Sequence, residues 1–216
     1  MKRLIFLLAG VLVPLSSGAL QASSVFVGSL ADWIADPVQV AGDKVFTYVD
    51  SSGGWSGDEL VTISSNIPQN SETVSIDGLS DYIGPQNLML AYSAVISSTD
   101  VFLSLSLDQD FSGSSATTYK DIFTSLEDLQ ANPVPGTGTW SLSVIDAGAG
   151  TTVSLPPLQG LWIRDTIVLD ASGSVLSISN TAVQVPEPHV LAATILCAIG
   201  TFAVRRERRR LVWHRL

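Results

Sequence analysis

The sequence predicts an all-β fold, an antiparallel β-sandwich with jelly-roll connections as one option. Short runs alternate apolar and polar side chains with a period of two, which is the pattern of strands with one buried face. Stretches rich in Gly, Pro, Asn and Ser separate these runs. Between the two ends of the chain, charged residues are few and Ser, Thr and Gly are abundant. One or two short helices, an N-terminal signal peptide and a C-terminal transmembrane helix complete the predicted architecture.

The clearest strand is residues 101–108, where Val101, Leu103, Leu105 and Leu107 share one face, and the serines and Asp108 share the other. Residues 140–144 and 175–179 repeat this alternation. Further strands are expected at 24–30, 45–49, 60–63, 73–76, 88–96, 151–155 and 166–169. Turns are expected at 50–54, 84–85, 132–136, 148–150 and 156–157. This spacing predicts about eight to ten strands.

Two helices are expected to interrupt the strands. Four apolar side chains recur at helical spacing and predict a helix over residues 119–130, with Thr118 as its N-cap: Ile122, Phe123, Leu126 and Leu129. A shorter helix is expected over residues 30–35. Both are expected to close an end of the sandwich, and a lid over a site is the functional alternative.

The N-terminus has the pattern of a secretory signal peptide. Lys2 and Arg3 precede an apolar segment, residues 4–15, and small residues follow at 16–22. Cleavage is expected after Ala19 or Ala22, by the signal peptidase of the secretion machinery. A retained N-terminal anchor is the alternative.

The C-terminus carries three features in a fixed order. Val185-Pro186-Glu187-Pro188 precedes the uncharged segment 190–204, and a cluster of arginines follows: Arg205, Arg206, Arg208, Arg209 and Arg210. As a helix, the apolar segment is about 22 Å long, shorter than the roughly 30 Å of bilayer hydrocarbon. Arginines stay on the cytoplasmic side, so the residues before Pro186 are expected outside.

This order resembles the PEP-CTERM sorting signal, which a membrane-embedded exosortase recognises in Gram-negative bacteria. The resemblance covers about 25 residues, and the extension 211–216 departs from it. It implies that Pro186, Glu187 and Pro188 are recognition residues, and that the arginines fix the topology. It also implies cleavage near the motif and delivery to the cell surface or extracellular matrix. A plain single-pass anchor is the alternative.

The chain is therefore divided into four parts: signal peptide 1–22, extracytoplasmic domain 23–185, sorting signal 186–210 and cytoplasmic tail end 211–216. Within the sorting signal, 186–188 is the motif, 189–204 the transmembrane helix and 205–210 the arginine cluster. The expected protein is an exported structural or adhesive protein of the cell surface or an exopolysaccharide matrix. A membrane-anchored carbohydrate- or calcium-binding module is the alternative.

Composition excludes several classes of function for residues 23–185. This segment holds three basic residues, Lys44, Lys120 and Arg164, against 18 acidic ones, so its formal charge is −15. Such a field repels nucleic acid, which is not an expected partner. The single cysteine, Cys197, lies in the apolar segment, and histidine occurs only at 189 and 214. Disulfides and histidine-dependent catalysis are thus excluded from the domain, and no enzyme activity is predicted.

Three residues are candidate ligand-binding positions. Asp108 and Asp110 begin a segment that resembles a calcium loop, although Tyr119 stands where an EF-hand needs a glutamate. An acidic β-turn is the simpler interpretation, and no confident metal or other cofactor is predicted. Trp55 lies between glycine and serine residues and offers an aromatic face to a sugar, and extracellular polysaccharide is a candidate partner. Trp140 is in phase with Leu142 and is expected in the core.

The adjacent acidic pairs 58–59 and 127–128 leave one enzymatic alternative. A glycosidase needs two carboxylates facing each other across a cleft. Neither pair lies in a recognisable motif, so hydrolysis is the weaker hypothesis.

Overall fold

A computed structural model describes residues 23–66, 71–111, 116–145, 150–170 and 174–186. Residues 1–22 and 187–216 lie outside this description, and with them the predicted signal peptide, Glu187, Pro188, the apolar segment and the arginines. Most of the turn expected at 148–150 also lies outside it. No helix in the described part of the chain has the length and apolar character needed to span a membrane. The described residues thus belong to the predicted extracytoplasmic domain and include Pro186.

The described residues form twelve strands and two α-helices. In chain order these are β1 (Ser23–Ser29), α1 (Leu30–Ala35), β2 (Val38–Ala41), β3 (Lys44–Ser52), β4 (Leu60–Asn66), β5 (Ser71–Asp77), β6 (Gln86–Ile96), β7 (Asp100–Phe111), β8 (Ala116–Phe123), α2 (Leu126–Ala131), β9 (Trp140–Ile145), β10 (Thr151–Leu158), β11 (Gly160–Leu169) and β12 (Val175–Pro186). A 3₁₀ turn, Leu79–Asp81, precedes β6. Every predicted strand is present, and β2 and β8 raise the number from the expected eight to ten to twelve. The predicted helix 30–35 is present, the helix over 119–130 is not, and the turn expected at 156–157 lies within β10.

The strands form two six-stranded sheets that pack face to face. The first sheet has the order β1-β4-β5-β12-β7-β10, the second has the order β2-β3-β6-β11-β8-β9, and every paired neighbour is antiparallel. Apolar side chains from both sheets fill the space between them, including Ile63, Ile178, Phe46 and Leu90, each at most 2% exposed. The predicted antiparallel β-sandwich is therefore confirmed. Trp140 is partly buried and packs against this core, as expected.

Helix α1 has the predicted bounds because its start signal is local. The Ser29 hydroxyl accepts a hydrogen bond from the Asp32 amide at 3.1 Å, and the Asp32 carboxylate accepts one from the Ser29 amide at 2.9 Å. This reciprocal capping box satisfies two amide groups that a helix N-terminus leaves unpaired. Leu30 and Trp33 are then fully buried in the core.

The predicted helix 119–130 is wrong. Its first residues belong to strand β8, and the helix that exists, α2, starts at Leu126 after the N-cap Ser125. Thr118 is a core residue of β8 whose hydroxyl donates to Gln109 Oε1 at 2.5 Å. Two of the inward positions of β8 are polar, Thr118 and Lys120, so the strand shows no apolar alternation. The absence of that pattern explains why the strand was not predicted.

The prediction of which β7 side chains face the core is partly wrong, because the strand contains a β-bulge. The pairing with β12 shifts between Val183, which faces Ser104, and Gln184, which faces Phe102, so Leu103 is the extra residue. Leu103 is consequently 44% exposed and Phe102 is fully buried. Val101, Leu105 and Leu107 are buried as predicted. A similar shift after Val175 leaves Leu176 exposed.

Candidate functional site

A cleft of about 430 Å³ lies on the outer face of the second sheet. Its floor is formed by alternate residues of β3, β6 and β11, and its wall by α2 and the segment that follows α2. The lining residues are Asp50, Ser52, Asn87, Met89, Leu129, Gln130, Pro133, Pro135, Arg164 and Thr166. The intervening residues of the same strands, such as Leu88, Leu90 and Ile163, face the core. The pleat of the sheet thus brings these distant residues together.

A buried ion pair fastens the wall to the sheet. The Arg164 guanidinium donates through Nη2 to Asp121 Oδ2 at 2.6 Å and to the Val134 carbonyl at 2.7 Å. The Asp121 carboxylate in turn accepts the Gly136 and Gly138 amides, each at 3.0 Å. These bonds hold residues 132–138 against β8 and β11. The predicted turn at 132–136 therefore functions as one side of the cleft.

The same arginine also stacks on an aromatic ring. The Arg164 Cζ atom lies 5.2 Å from the centroid of the Phe123 ring, within the range of a cation–π contact. The residue is 3% exposed. Its charge is therefore balanced and enclosed, and it is a structural part of the cleft rather than a free cation.

Two polar atoms in the floor of the cleft lack a partner among the described residues. They are Thr166 Oγ1 and Arg164 Nε, on residues that are 4% and 3% exposed. A buried polar atom without a hydrogen bond costs about 1–3 kcal/mol. Asp50 and Asn87, both exposed at the rim, add a carboxylate and an amide. The cleft thus offers both donors and acceptors to a polar ligand.

Trp55 lines a second cleft of about 390 Å³, which shares Ser52 with the first. Its indole Nε1 donates to the Met89 carbonyl at 2.8 Å, and its ring meets the Tyr82 ring edge-on at 6.0 Å. The side chain is half-buried against the core. Trp55 is thus held in one orientation, with part of its surface in a groove.

The loop that carries Trp55 is organised by Glu59. The carboxylate accepts the Ser56 amide at 2.8 Å, the Gly57 amide at 3.0 Å and the Tyr82 hydroxyl. Burial raises the pKa of Glu59, but the hydrogen bonds from Tyr82, Ser56 and the backbone together outweigh it, and the pKa lies below its usual range. This carboxylate is therefore a structural anchor of the loop.

Neither acidic pair lines the two clefts described above. Asp128 accepts the Ser125 hydroxyl at 2.8 Å at the start of α2, and Glu59 is committed to its loop. Asp50 is the one carboxylate among the lining residues of these two clefts. The facing carboxylates that the hydrolase hypothesis requires are not found there.

Asp108 and Asp110 lie within strand β7, exposed on the outer face of the first sheet. Asp110 Oδ2 accepts the Ser177 hydroxyl at 3.3 Å. Burial, followed by the charge of Asp110, raises the pKa of Asp77. No group of three or more His, Cys, Asp and Glu side chains in the described ranges could hold a metal ion. Residues 112–115 lie outside those ranges, so the calcium site stays a prediction.

The three basic residues of the domain are all buried in ion pairs. Lys44 Nζ lies 2.5 Å from Glu72, Lys120 Nζ lies 3.1 Å from Asp165, and Arg164 pairs with Asp121. Their side chains are at most 3% exposed. No lysine or arginine of the described residues therefore reaches the surface, where the remaining formal charges are negative. No local pattern around these three residues predicts that their side chains would be internal.

No protein-family model matches the chain, and no curated protein matches its sequence. Among solved structures, it is similar to TmCBM61 in complex with beta-1,4-galactotriose, with 10% identity, a TM-score of 0.30, and coverage of 64% of this chain and 88% of that chain. It is similar to a family 11 carbohydrate-binding module from Clostridium thermocellum in complex with a beta-1,3-1,4-mixed-linked tetrasaccharide, with 15% identity, a TM-score of 0.28, and coverage of 64% and 95%. A third similar structure is TmCBM27, a carbohydrate-binding module described for specific mannan recognition, with 8% identity, a TM-score of 0.29, and coverage of 76% and 96%. At these TM-scores, the similarities carry no argument about the function of this chain.

Proposed function

We propose that this chain is an exported protein whose β-sandwich binds a neutral polysaccharide in the cleft on its second sheet. The observation that carries the proposal is the pair of exposed polar groups at the rim of that cleft, the Asp50 carboxylate and the Asn87 amide. A sugar hydroxyl both donates and accepts, so it can bond to a carboxylate and to an amide in the same site. Of the two functions considered from the sequence, this geometry favours the binding module over a purely structural protein.

The remaining lining residues suit a sugar ring. Asp50, Asn87 and Gln130 supply polar groups, while Met89 and Leu129 supply apolar surface for the C–H faces of the ring. The Trp55 groove adjoins this cleft through Ser52 and adds an aromatic surface. Together, the two clefts favour a ligand of several sugar units over a monosaccharide.

The charge distribution favours a neutral polymer. Every basic side chain of the described residues is buried in an ion pair, while acidic residues such as Asp50 are exposed. A uronate or sulfate group would enter a negative field without a free cation to meet it. Hydroxyl groups carry no such penalty.

The proposed delivery is by the C-terminal sorting signal, with an exosortase as the processing partner. Pro186 is the last residue of β12, a strand inside the first sheet, where it pairs with Asp100. Ser23, at the start of β1, is connected to Ala182 of β12 through successive paired residues of β4 and β5. Ser23 and Ala182 therefore lie at the same end of the first sheet. Both connections to the flanking segments thus leave from one end, which supports attachment by that end.

The cleft lies toward the opposite end of the sandwich. The start of β3 lies at the Ala182 end, because Lys44 contacts Glu72, which pairs with Ala182. Ser52, at the other end of β3, lines the cleft. A domain attached through Pro186 would therefore present its cleft away from the membrane. This geometry supports a protein displayed at the cell surface.

The binding proposal is tested by titrating the full chain, purified in detergent, with a panel of neutral polysaccharides and with a uronate polymer. We expect binding to a neutral polymer and none to the uronate polymer. The Asp50→Ala variant should bind about 10- to 100-fold more weakly, because a hydrogen bond to a charged group contributes roughly 1.5–3 kcal/mol. Asp36→Ala, which removes an exposed carboxylate outside both clefts, is the matched control and should bind normally. Equal affinity of wild type and Asp50→Ala would contradict the site, and binding to the uronate polymer alone would contradict the ligand class.

The delivery proposal is tested separately, by measuring the mass of the mature C-terminus in cells that contain an exosortase. We expect loss of the tail near Pro188. An intact tail in every molecule would reject processing and leave the plain anchor.

A further inference from the structure

A lysine, an aspartate and an asparagine meet inside the core, between the two sheets. Lys120 comes from β8, Asp165 from the adjacent β11, and Asn180 from β12 of the opposite sheet. Lys120 Nζ lies 3.1 Å from Asp165 Oδ1, and Asn180 Nδ2 donates to Asp165 Oδ2 at 2.6 Å. The Asp165 carboxyl group therefore contacts the Lys120 amine through one oxygen and the Asn180 side-chain amide through the other.

The cluster is enclosed and incompletely satisfied. Lys120, Asp165 and Asn180 are 0%, 1% and 3% exposed. Lys120 Nζ, Asp165 Oδ1 and Asn180 Oδ1 are buried without a hydrogen bond among the described residues. A charged ammonium has three donors to satisfy, so a single carboxylate at 3.1 Å is a poor environment for it. By contrast, the other buried lysine, Lys44, contacts both Glu72 at 2.5 Å and Asp43 at 3.1 Å.

Burial also favours the uncharged forms of both groups. It lowers the pKa of Lys120, and it raises the pKa of Asp165 beyond what the neighbouring Lys120, Asn180 and Tyr92 offset. Both shifts favour transfer of the proton from the ammonium to the carboxylate, which would leave the lysine as a free amine. A free amine is a nucleophile, whereas an ammonium is not.

We propose that Lys120 and Asn180 form an intramolecular amide bond, with Asp165 as the proton-transfer residue. Lys120 Nζ attacks Cγ of Asn180, the Nζ–Cγ bond forms, and the Cγ–Nδ2 bond breaks. One proton moves from Nζ to Asp165 Oδ1, and another moves from Oδ2 to Nδ2, so ammonia leaves and Asp165 is regenerated. No oxidant or other co-reactant is required.

The surroundings suit this reaction. The cluster lies between the inner faces of the two sheets, where Tyr92, 1% exposed, stands beside both Asp165 and Asn180. Water is therefore kept from the reacting atoms, and the three groups are held in place by packed strands. The strands supply the orientation that a reaction between two side chains needs.

The bond would join β8 of the second sheet to β12 of the first. Strand β12 ends at Pro186, where the sorting signal begins. A load applied through the C-terminus would reach β12 first, and a covalent link between the sheets would resist their separation. Residues 23–185 contain no cysteine, so a disulfide cannot serve this purpose.

The proposal is tested by peptide mapping of the full chain after denaturation and trypsin digestion. We expect no cleavage after Lys120, and a linked peptide that contains Lys120 and Asn180 and is lighter by about 17 Da, the mass of ammonia. Lys44 is the internal control and should be cleaved normally. Because the measurement is made on peptides, processing at either end of the chain does not affect it.

Two variants check the assignment. Lys120→Arg and Asn180→Ala should each give unlinked peptides of full mass. Complete cleavage after Lys120 in the wild type would overturn the proposal. A deficit of about 18 Da, the mass of water, or a link that persists in Asn180→Ala would assign the bond to Asp165 and would equally overturn it.

Discussion

The Arg164 guanidinium and the Asp121 carboxylate meet at 2.6 Å on the outer face of the second sheet, beneath the segment 132–138. Both side chains are at most 3% exposed, and together they bond four backbone groups of that segment. One ion pair thus positions the wall of the cleft.

Replacing Asp121 with alanine is expected to lower the free energy of unfolding by about 3–5 kcal/mol, because it leaves the Arg164 charge buried without its partner. Urea denaturation followed by tryptophan fluorescence measures this change. The exposed control, Asp36→Ala, should leave the midpoint nearly unchanged. An equal midpoint for the two variants would show that the ion pair does not hold the wall.

Glu59 gives the loop of Trp55 a defined pH dependence. Its pKa is lower in the folded chain than the usual 4.5, so its carboxylate contributes stability above that value. The contribution is lost as the pH falls through the folded pKa. Glu59→Gln should therefore destabilise the protein at pH 7, and the difference from wild type should shrink in acid. A difference that grows as the pH falls would contradict this assignment.

Burial raises the pKa of Asp77, and the charge of Asp110 raises it further. Asp110→Asn is therefore expected to lower the pKa of Asp77, measured by ¹³C NMR of the side-chain carboxyl group. Asp108→Asn removes a carboxylate from the same face of β7 and is the matched control, with little effect expected. An unchanged Asp77 titration in Asp110→Asn would show that the two carboxylates do not interact.

Gly53 and Gly54 allow the cost of a left-handed backbone conformation to be measured apart from the cost of a steric clash. Both have positive φ, +102° and +81°, but a Cβ at Gly53 would lie 1.9 Å from the Asn87 carbonyl oxygen, and one at Gly54 would meet nothing within 4 Å. Gly54→Ala is expected to cost about 1–2 kcal/mol, from the left-handed conformation alone. Gly53→Ala should cost clearly more, and should also weaken polysaccharide binding, since Asn87 lines the cleft. Equal stability of the two variants, by denaturation, would contradict the close approach.

The sequence predicted the elements whose signals are local. Helix α1 is recognisable because Ser29 and Asp32 cap it within three residues, and β9 because Leu142 and Val144 alternate with serines. Strand β8 is not recognisable, since Lys120 occupies an inward position that the pattern expects to be apolar. The bulge at Leu103 depends on the pairing of β7 with β12, about 80 residues away, which no local pattern records.

The candidate site was predictable only in part. Trp55 was singled out because glycines surround it, and it does line a groove. Asp50, Asn87 and Arg164 could not be recognised as parts of one site, because the pleated sheet brings them together and Asp121 holds the wall beside them. These are properties of the assembled sheet rather than of any short segment.

The most direct test of the central claim is a crystal structure of the full chain with a neutral oligosaccharide. The expected result is a sugar hydroxyl within hydrogen-bond distance of the Asp50 carboxylate, with the ring between the α2 wall and β6. A sugar bound elsewhere, with the cleft on the second sheet left to solvent, would contradict it.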